Sequence, residues 1–514
     1  MKRIVLSWMV GAAAVIAVLA LVVPVSGAEP VRGGTLIYGS VTEVASLDPH
    51  VYQGTAWKAI NLCLYNSLLG FNRSGEPSPS LAESWETPDA KTVIFKLRKG
   101  VTFHQGQPFT AKDVKYSLER IVDPATGATL RANLKDIRVT IIDDYTVKIE
   151  KDEPDVTMLS VLAMGETSIV SEAWMKTNPN VKVSANGTGP FKLAKNEPKV
   201  RVIVERNPTY FESDLPYLDS IDFRMIKDGE ARVNALKTGA VHMIDTVPWK
   251  DIDILKAMPG ISVDVADGEF MNLWLNTSKE PLNDPRVRRA ISYAIDREAI
   301  SEAAFFGYGT PLYGPPTIAG TFYYNDDLSN TFSHDPEKAK ALLAEAGVGG
   351  GFELELLTYH GLPIYTVTAQ IVQSNLKEVG IEVNIQLSEW AALVEKKNKG
   401  DYDFLIYGVT IKSPDPDAYS YYFGAESTYW AQPVGFSDPT VEALLSEGRT
   451  TIDPKGRKAI YHQLEKRVLE LTPWVFVNWR AKAQAYNDRV HGYVHLGGAL
   501  SESFPGVKTV WIAP

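Results

Sequence analysis

The chain has 514 residues, 45% of them apolar and 22% charged, with a formal net charge of −10. That length exceeds the roughly 250–300 residues at which a single core stops growing, so two or more cores are expected. An acidic balance with no Lys/Arg-rich tract argues against a nucleic-acid partner, which needs a positive footprint.

Lys2 and Arg3 precede the apolar run "IVLSWMVGAAAVIAVLALVVPV", and Ser26 and Ala28 stand at the −3 and −1 places of an export-signal cleavage site. An uncleaved anchor is the rival reading of that run. Cys63 is the only cysteine, so no internal disulfide is possible and large cores must carry the stability. Its apolar setting, "INLCLYNSLL", reads as buried and inert. These features together place the chain in a bacterial periplasm.

After residue 29, "GGTLIYGS" reads as an opening strand and "TVIFKLRKGVTFHQG" as strands around a Lys-Gly turn. Thr110 with Asp113 forms a capping box ahead of "AKDVKYSLERI". "RVTIIDDYTVKIEK" is a hairpin of two β-branched runs. Glycines and a proline then make a tight turn in "ANGTGPFKLAKNEPKVRVIVERNP" before strands resume. "FRMIKDGEARVNALKTGAVHMID" alternates strand, helix and strand, with Gly239 stopping the helix. Asp284 caps a helix that starts at Pro285, and Asp335-Pro336 repeats the device. From 350 to 410 the order strand, helix, strand, helix marks the chain as α/β. In "VTIKSPDPDAYSYYFG", Asp415 is placed to cap a helix with Pro416 in its first position, and Tyr419, Tyr422 and Phe423 share one face.

Catalytic and metal signatures are missing. There is no GxSxG, GxxxxGK[ST], HExxH or strand-linked GxGxxG, and the eight histidines are scattered. His491 and His495 lie four apart in "HGYVH", which does not read as a helix, and in a strand they would be roughly 13 Å apart. No catalytic residue, metal or cofactor is expected. The 23 tyrosines and 11 tryptophans exceed ordinary core needs and suit a half-wet cleft between α/β lobes that closes by hinge motion.

The stretches "SLAESWE", "FKLRKGVTFHQGQPFTAKDVKYSLERI", "GTGPF", "LNTSKEPLNDPRVRRAISYAIDREAI", "HDPEKAKALLAEAG" and "YDF" before "DPDAY" resemble the extracellular solute-binding proteins of ABC importers, family 5, the dipeptide-, oligopeptide- and nickel-binding type. The resemblance implies a periplasmic binding protein-like fold in three parts, two lobes with a cleft and hinge plus an inserted smaller domain. It divides the chain into a signal peptide (1–28), a discontinuous first lobe (29–64, 187–282 and 483–514), an inserted small domain (65–186) and a second lobe (283–482). It implies a monomeric receptor, not an enzyme, that captures a small-molecule or peptide-like solute and delivers it to an ABC permease complex in the inner membrane.

Dipeptide-binding members hold the peptide amino group with an aspartate a few residues before the element matching "DPDAY"; Lys412 stands there instead. The arginine that clamps the carboxylate after the strand matching "FELELLT" has no counterpart in "YHGLPIY". A lysine repels an ammonium and favours a ligand anion. An oligopeptide, an oligosaccharide or an anionic conjugate such as an opine therefore stays open, and a periplasmic hydrolase or a binding module without transport are the more remote classes. The candidate ligand contacts are Glu43, Tyr359, His360, Trp390 and Lys412, and the structural caps are Thr110 and Asp415.

Overall fold

The computed structural model describes residues 29–513 apart from 42–45, 52–54, 179, 410, 412, 426, 428–429, 499 and 501–505; the side chains of 55 and 56 are also outside the description. Glu43, Lys412 and the export signal therefore lie outside the described residues. Among those described, no helix is long and apolar enough to cross a membrane.

An 11-stranded mixed sheet runs through the molecule. At one end Ile381–Ser388, Phe352–Tyr359 and Phe404–Val409 are mutually parallel. At the other, Thr35–Ser40 lies parallel to Ser220–Met225, with the hairpin Phe191–Glu197/Arg201–Arg206 outside it. Two long antiparallel strands, Ile261–Leu275 and Trp474–Asn487, join the halves. Their register shifts between Asp267 and Phe270.

Strand alternation decides what each face buries. In the 352–409 half, Met271, Leu273 and Leu275 enter one core with helices Pro285–Ala294, Arg297–Phe305 and Pro363–Glu378. Phe270 and Trp274 enter the core on the opposite face, with Tyr422, Phe423 and Trp474. In the other half, Leu36 and Tyr38 pack against Trp57 and Leu64, while Ile37 meets the Val233–Leu236 side. A separate core is built almost wholly from residues between Leu68 and Ile169 around a four-stranded antiparallel sheet, with Leu500 reaching into it. The chain is thus a bilobed α/β periplasmic binding protein fold with a cleft, as expected.

Most local expectations hold. Thr110 is the N-cap of Ala111–Val122, and the Asp113 carboxylate accepts from its N–H at 3.0 Å and its hydroxyl at 3.2 Å. The 137–151 hairpin forms, and Asp284 and Asp335 cap their helices through side-chain oxygens. Cys63 is buried, which pushes its thiol up. Two expectations fail. After the Lys-Gly turn only an isolated bridge, Thr102 to Pro108, forms in place of a strand. Asp415 does not cap a helix start at Pro416: the helix is Ala418–Phe423, with Asp417 in the N-cap position. Asp415 does accept from the Asp417 N–H at 2.8 Å, but it is held by a buried ion pair with Arg457.

The sequence stretches that carry the resemblance are largely structural joints. Gly187 donates to Nδ1 of His104 at 3.3 Å, which leaves Nε2 to donate to the Gly189 carbonyl at 3.1 Å. Asn186 accepts from the Gln105 N–H and donates to the Gln107 side chain, both at 3.0 Å. "TFHQGQPF" and "ANGTGPF" are therefore two sides of one clasp. Burial holds His104 down at about 4, in the neutral form this clasp requires. In "DPRVRRAISYAIDREAI", Arg288 binds the carbonyls of Leu282, Asn283, Leu471 and Thr472. Arg297 binds those of Ser292, Ile295, Leu312, Phe332 and Phe476. Each ties loops from distant parts of the chain to one helix.

Candidate functional site

The parallel strands Ile381–Ser388, Phe352–Tyr359 and Phe404–Val409 deliver their carboxyl ends to one corner, the place where open α/β sheets present ligands. Tyr359 ends its strand and His360 follows it, while Trp390 opens the helix Trp390–Lys399 just after the neighbouring strand. Parallel pairing sets Tyr359 opposite Ser388. The structure therefore brings all three described candidate contacts together.

Their packing forms a wall of aromatic rings. Trp390 meets Tyr359 edge-on at 5.5 Å and stacks on Tyr407 at 5.3 Å. Tyr407 continues to Trp274 at 4.9 Å, and Trp274 stacks on Trp474 at 4.9 Å with an interplanar angle of 6°. His360 Nε2 lies 2.8 Å from Glu389. Lys397 backs the wall, 5.3 Å from the Trp274 ring, and burial pulls its ammonium down to about 8. Leu362, Leu387 and Trp390 are exposed, Trp390 at 41%, so the wall ends in an apolar lip. An exposed aromatic lip above a fixed aromatic base suits a ligand with apolar faces and polar edges.

In the other half of the sheet, the described residues on either side of 42–45 are each fastened. Asp245 accepts from Ser40 Oγ and the Val41 N–H, each at 2.9 Å. Asp48 takes both Nη groups of Arg120, at 3.0 and 2.6 Å. Glu43 falls between these anchors in sequence.

Beyond the strand Phe404–Val409 the chain passes Ser413 and Pro414 into the aspartate pair. A cavity of about 60 Å³ there is bordered by Ile411, Ser413 and Tyr422 on one side and Gly497 and Leu500 on the other. A larger cavity, about 260 Å³, opens where residues 74–77 and 155–160 meet Tyr323, Pro414 and Arg457. The polar centre of that larger space is already satisfied, because Asp415 holds Arg457 at 2.6 and 2.8 Å and accepts from Ser160 Oγ at 3.0 Å. The aromatic corner is therefore the better candidate ligand site.

Asp417 accepts from Arg449 Nε at 3.0 Å and from the Tyr461 hydroxyl at 2.9 Å. Burial, the largest influence, nonetheless pushes its carboxyl up to about 6. A raised carboxyl favours the folded protein in its protonated form, so this stabilisation is full below the unfolded value near 3.8 and lost as pH rises through 6. Wild type is accordingly expected to lose stability relative to Asp417→Asn between pH 4 and 6.5, read by urea unfolding at several pH values. A flat or rising difference would contradict the assignment.

Sequence reasoning did not single out Tyr407, Tyr365, Trp274 or Arg480. Tyr407 lay within reach, three residues past the "YDF" landmark, but nothing local marks the others. The profile of the bacterial extracellular solute-binding proteins, family 5 middle region, matches residues 76–430. The glutathione-binding protein GsiB of Escherichia coli (strain K12) is 29% identical over 465 residues, spanning 87% of this chain and 89% of that protein. The structure of AgaA in complex with agropinic acid, from A. tumefaciens R10, is 38% identical with a TM-score of 0.78, covering 94% of this chain and 99% of that one. HbpA2 of Haemophilus parasuis is 27% identical with a TM-score of 0.85, covering 94% and 100%.

Proposed function

The chain belongs to the bacterial extracellular solute-binding proteins of family 5, and from that premise we propose that its solute is an anionic conjugate of the opine kind, an amino acid joined through nitrogen to a second polar unit. As a member of that family it is a periplasmic receptor rather than an enzyme and serves an ABC permease. The observation that carries the choice of solute is the 38% identity, over 94% of the chain, to AgaA in complex with agropinic acid. The missing dipeptide clamps at Lys412 and in 359–365 agree with it. We take 29–64, 187–282 and 483–514 as the first lobe, 65–186 as the inserted domain and 283–482 as the second lobe. The solute sits between the lobes against Tyr359, His360 and Trp390, and Glu43 and Lys412 remain candidate contacts on the sequence alone.

Native mass spectrometry of gently purified protein, followed by calorimetry with agropinic acid, glutathione, haem and a dipeptide, tests the reading. Preference for agropinic acid supports it; preference for any of the other three overturns it. Trp390→Ala is expected to weaken binding of the preferred solute about 10-fold or more while leaving the unfolding midpoint nearly unchanged, because the ring is 41% exposed. Equal affinity in the variant would remove Trp390 from the site.

A further inference from the structure

Arg480 lies on the long strand Trp474–Asn487, two residues beyond Asn478, which shares a cross-strand row with Met271 and Gly408. Its side chain reaches along this row. A Cβ on Gly408 would stand 3.1 Å from Nη1 of Arg480 and 3.0 Å from the Tyr365 hydroxyl. Gly408 is the penultimate residue of its parallel strand, so the guanidinium rests at the same carboxyl-end corner as the aromatic wall. Tyr365 connects the two, since its ring lies 5.9 Å from that of Tyr359.

The fully buried Arg288, Arg297 and Arg457 are saturated by carbonyls or carboxylates. Arg480, which is half-buried, is not: its Nε is buried with no hydrogen-bond partner, as is that of Arg289, and Arg480 forms no ion pair among the described residues. The neighbouring carboxylate, Glu269, lies 4.0 Å from the ammonium of Lys482. Buried polar groups are nearly always partnered, and an exception calls for a missing ion, water or ligand. A guanidinium presents a planar fork that matches a carboxylate in two parallel hydrogen bonds.

We propose that Arg480 reads the solute's charge: its guanidinium receives a carboxylate of the ligand, the Tyr365 hydroxyl flanks that carboxylate, and Gly408 leaves the space the pair occupies. The assignment rests on the cleft reading given above and adds a residue and a ligand group to it.

Calorimetry with N-(1-deoxyfructosyl)glutamic acid and its diamide tests the proposal. Wild type is expected to prefer the acid by about 30-fold or more, and Arg480→Met to abolish that preference. Arg480→Lys should retain part of it, since a point charge replaces the fork. Gly408→Ala should weaken the acid by displacing Nη1. Melting of the empty Arg480→Met protein should occur at the wild-type temperature or above, because an unsatisfied group has been removed; a lower melting point would mark a structural arginine and overturn the proposal. Equal binding of acid and diamide by wild type would overturn the role of Arg480 while leaving the conjugate reading intact. Binding of neither probe, with a dipeptide bound instead, would overturn both.

Discussion

An Arg457→Met variant is expected to lose about 3–5 kcal/mol of folding stability, because it strands the carboxylate of Asp415 in the interior. Arg457 is 6% exposed and Asp415 7%. The guanidinium donates to both Asp415 oxygens, to the Gly448 carbonyl at 2.9 Å and to the Tyr323 hydroxyl at 2.9 Å. Asp415 also accepts from Ser160, in the stretch that builds the separate core between Leu68 and Ile169, so the loss reaches past the second half of the chain. The Val156 N–H, which donates to the Arg449 carbonyl at 2.8 Å, and a hydrogen bond from Asn133 to the Tyr421 hydroxyl lie on the same contact. Equilibrium urea unfolding reads the cost. Replacing both partners with apolar residues of similar volume should recover much of it, since the penalty belongs to the orphaned charge and not to the pair. A single-variant loss below about 1 kcal/mol would show that water reaches Asp415.

Gly189→Ala is expected to cost more than about 3 kcal/mol, at the upper end of what overpacking does. An added Cβ would stand 2.3 Å from the Cys63 carbonyl oxygen and 2.5 Å from the Leu64 carbonyl carbon. Both are backbone atoms at the end of the helix Thr55–Leu64, so no rotamer change relieves the clash. The Gly189 N–H meanwhile donates to the Leu64 carbonyl at 3.0 Å, and its own carbonyl accepts from Asn207 at 3.0 Å. Any retreat of the backbone breaks these bonds and loosens His104. Thermal melting, with proteolysis to detect opening of the 101–109 segment, measures the effect. A melting point within about 2 °C of wild type would contradict it, given the size of the expected loss.

How much of this was legible before the structure depended on sequence distance. Caps such as Thr110, Asp284 and Asp335 act on backbone two or three residues away, so their residue types announce them. Tyr359 and Trp390 could be named as candidate contacts because each closes or follows a strand in a recognisable strand–helix order, and the structure brings the two rings together. Asp415 was misread because its partner, Arg457, lies 42 residues on, and an Asp-Pro pair imitates a helix start. The reach of Arg480 over Gly408 was hidden for the same reason: it depends on three strands coming into register. The clasp between His104 and Gly187–Gly189 spans more than 80 residues, and either stretch alone resembles an ordinary turn.

The two long strands carry a mechanical consequence. Since one hydrogen-bonded ribbon passes from one half of the protein to the other, the lobes are not tethered bodies with slack between them. Relative rotation must twist or bend the ribbon, and the ladder is weakest where its register slips, between Asp267 and Phe270 and again between Met271 and Asn272. Gly268 occupies the first slip, with the carbonyl oxygen of Arg480 2.9 Å from where its Cβ would be. The pivot and the charge reader are therefore neighbours on the two paired strands of one ribbon, and a torque applied at either is passed across the pair to the other.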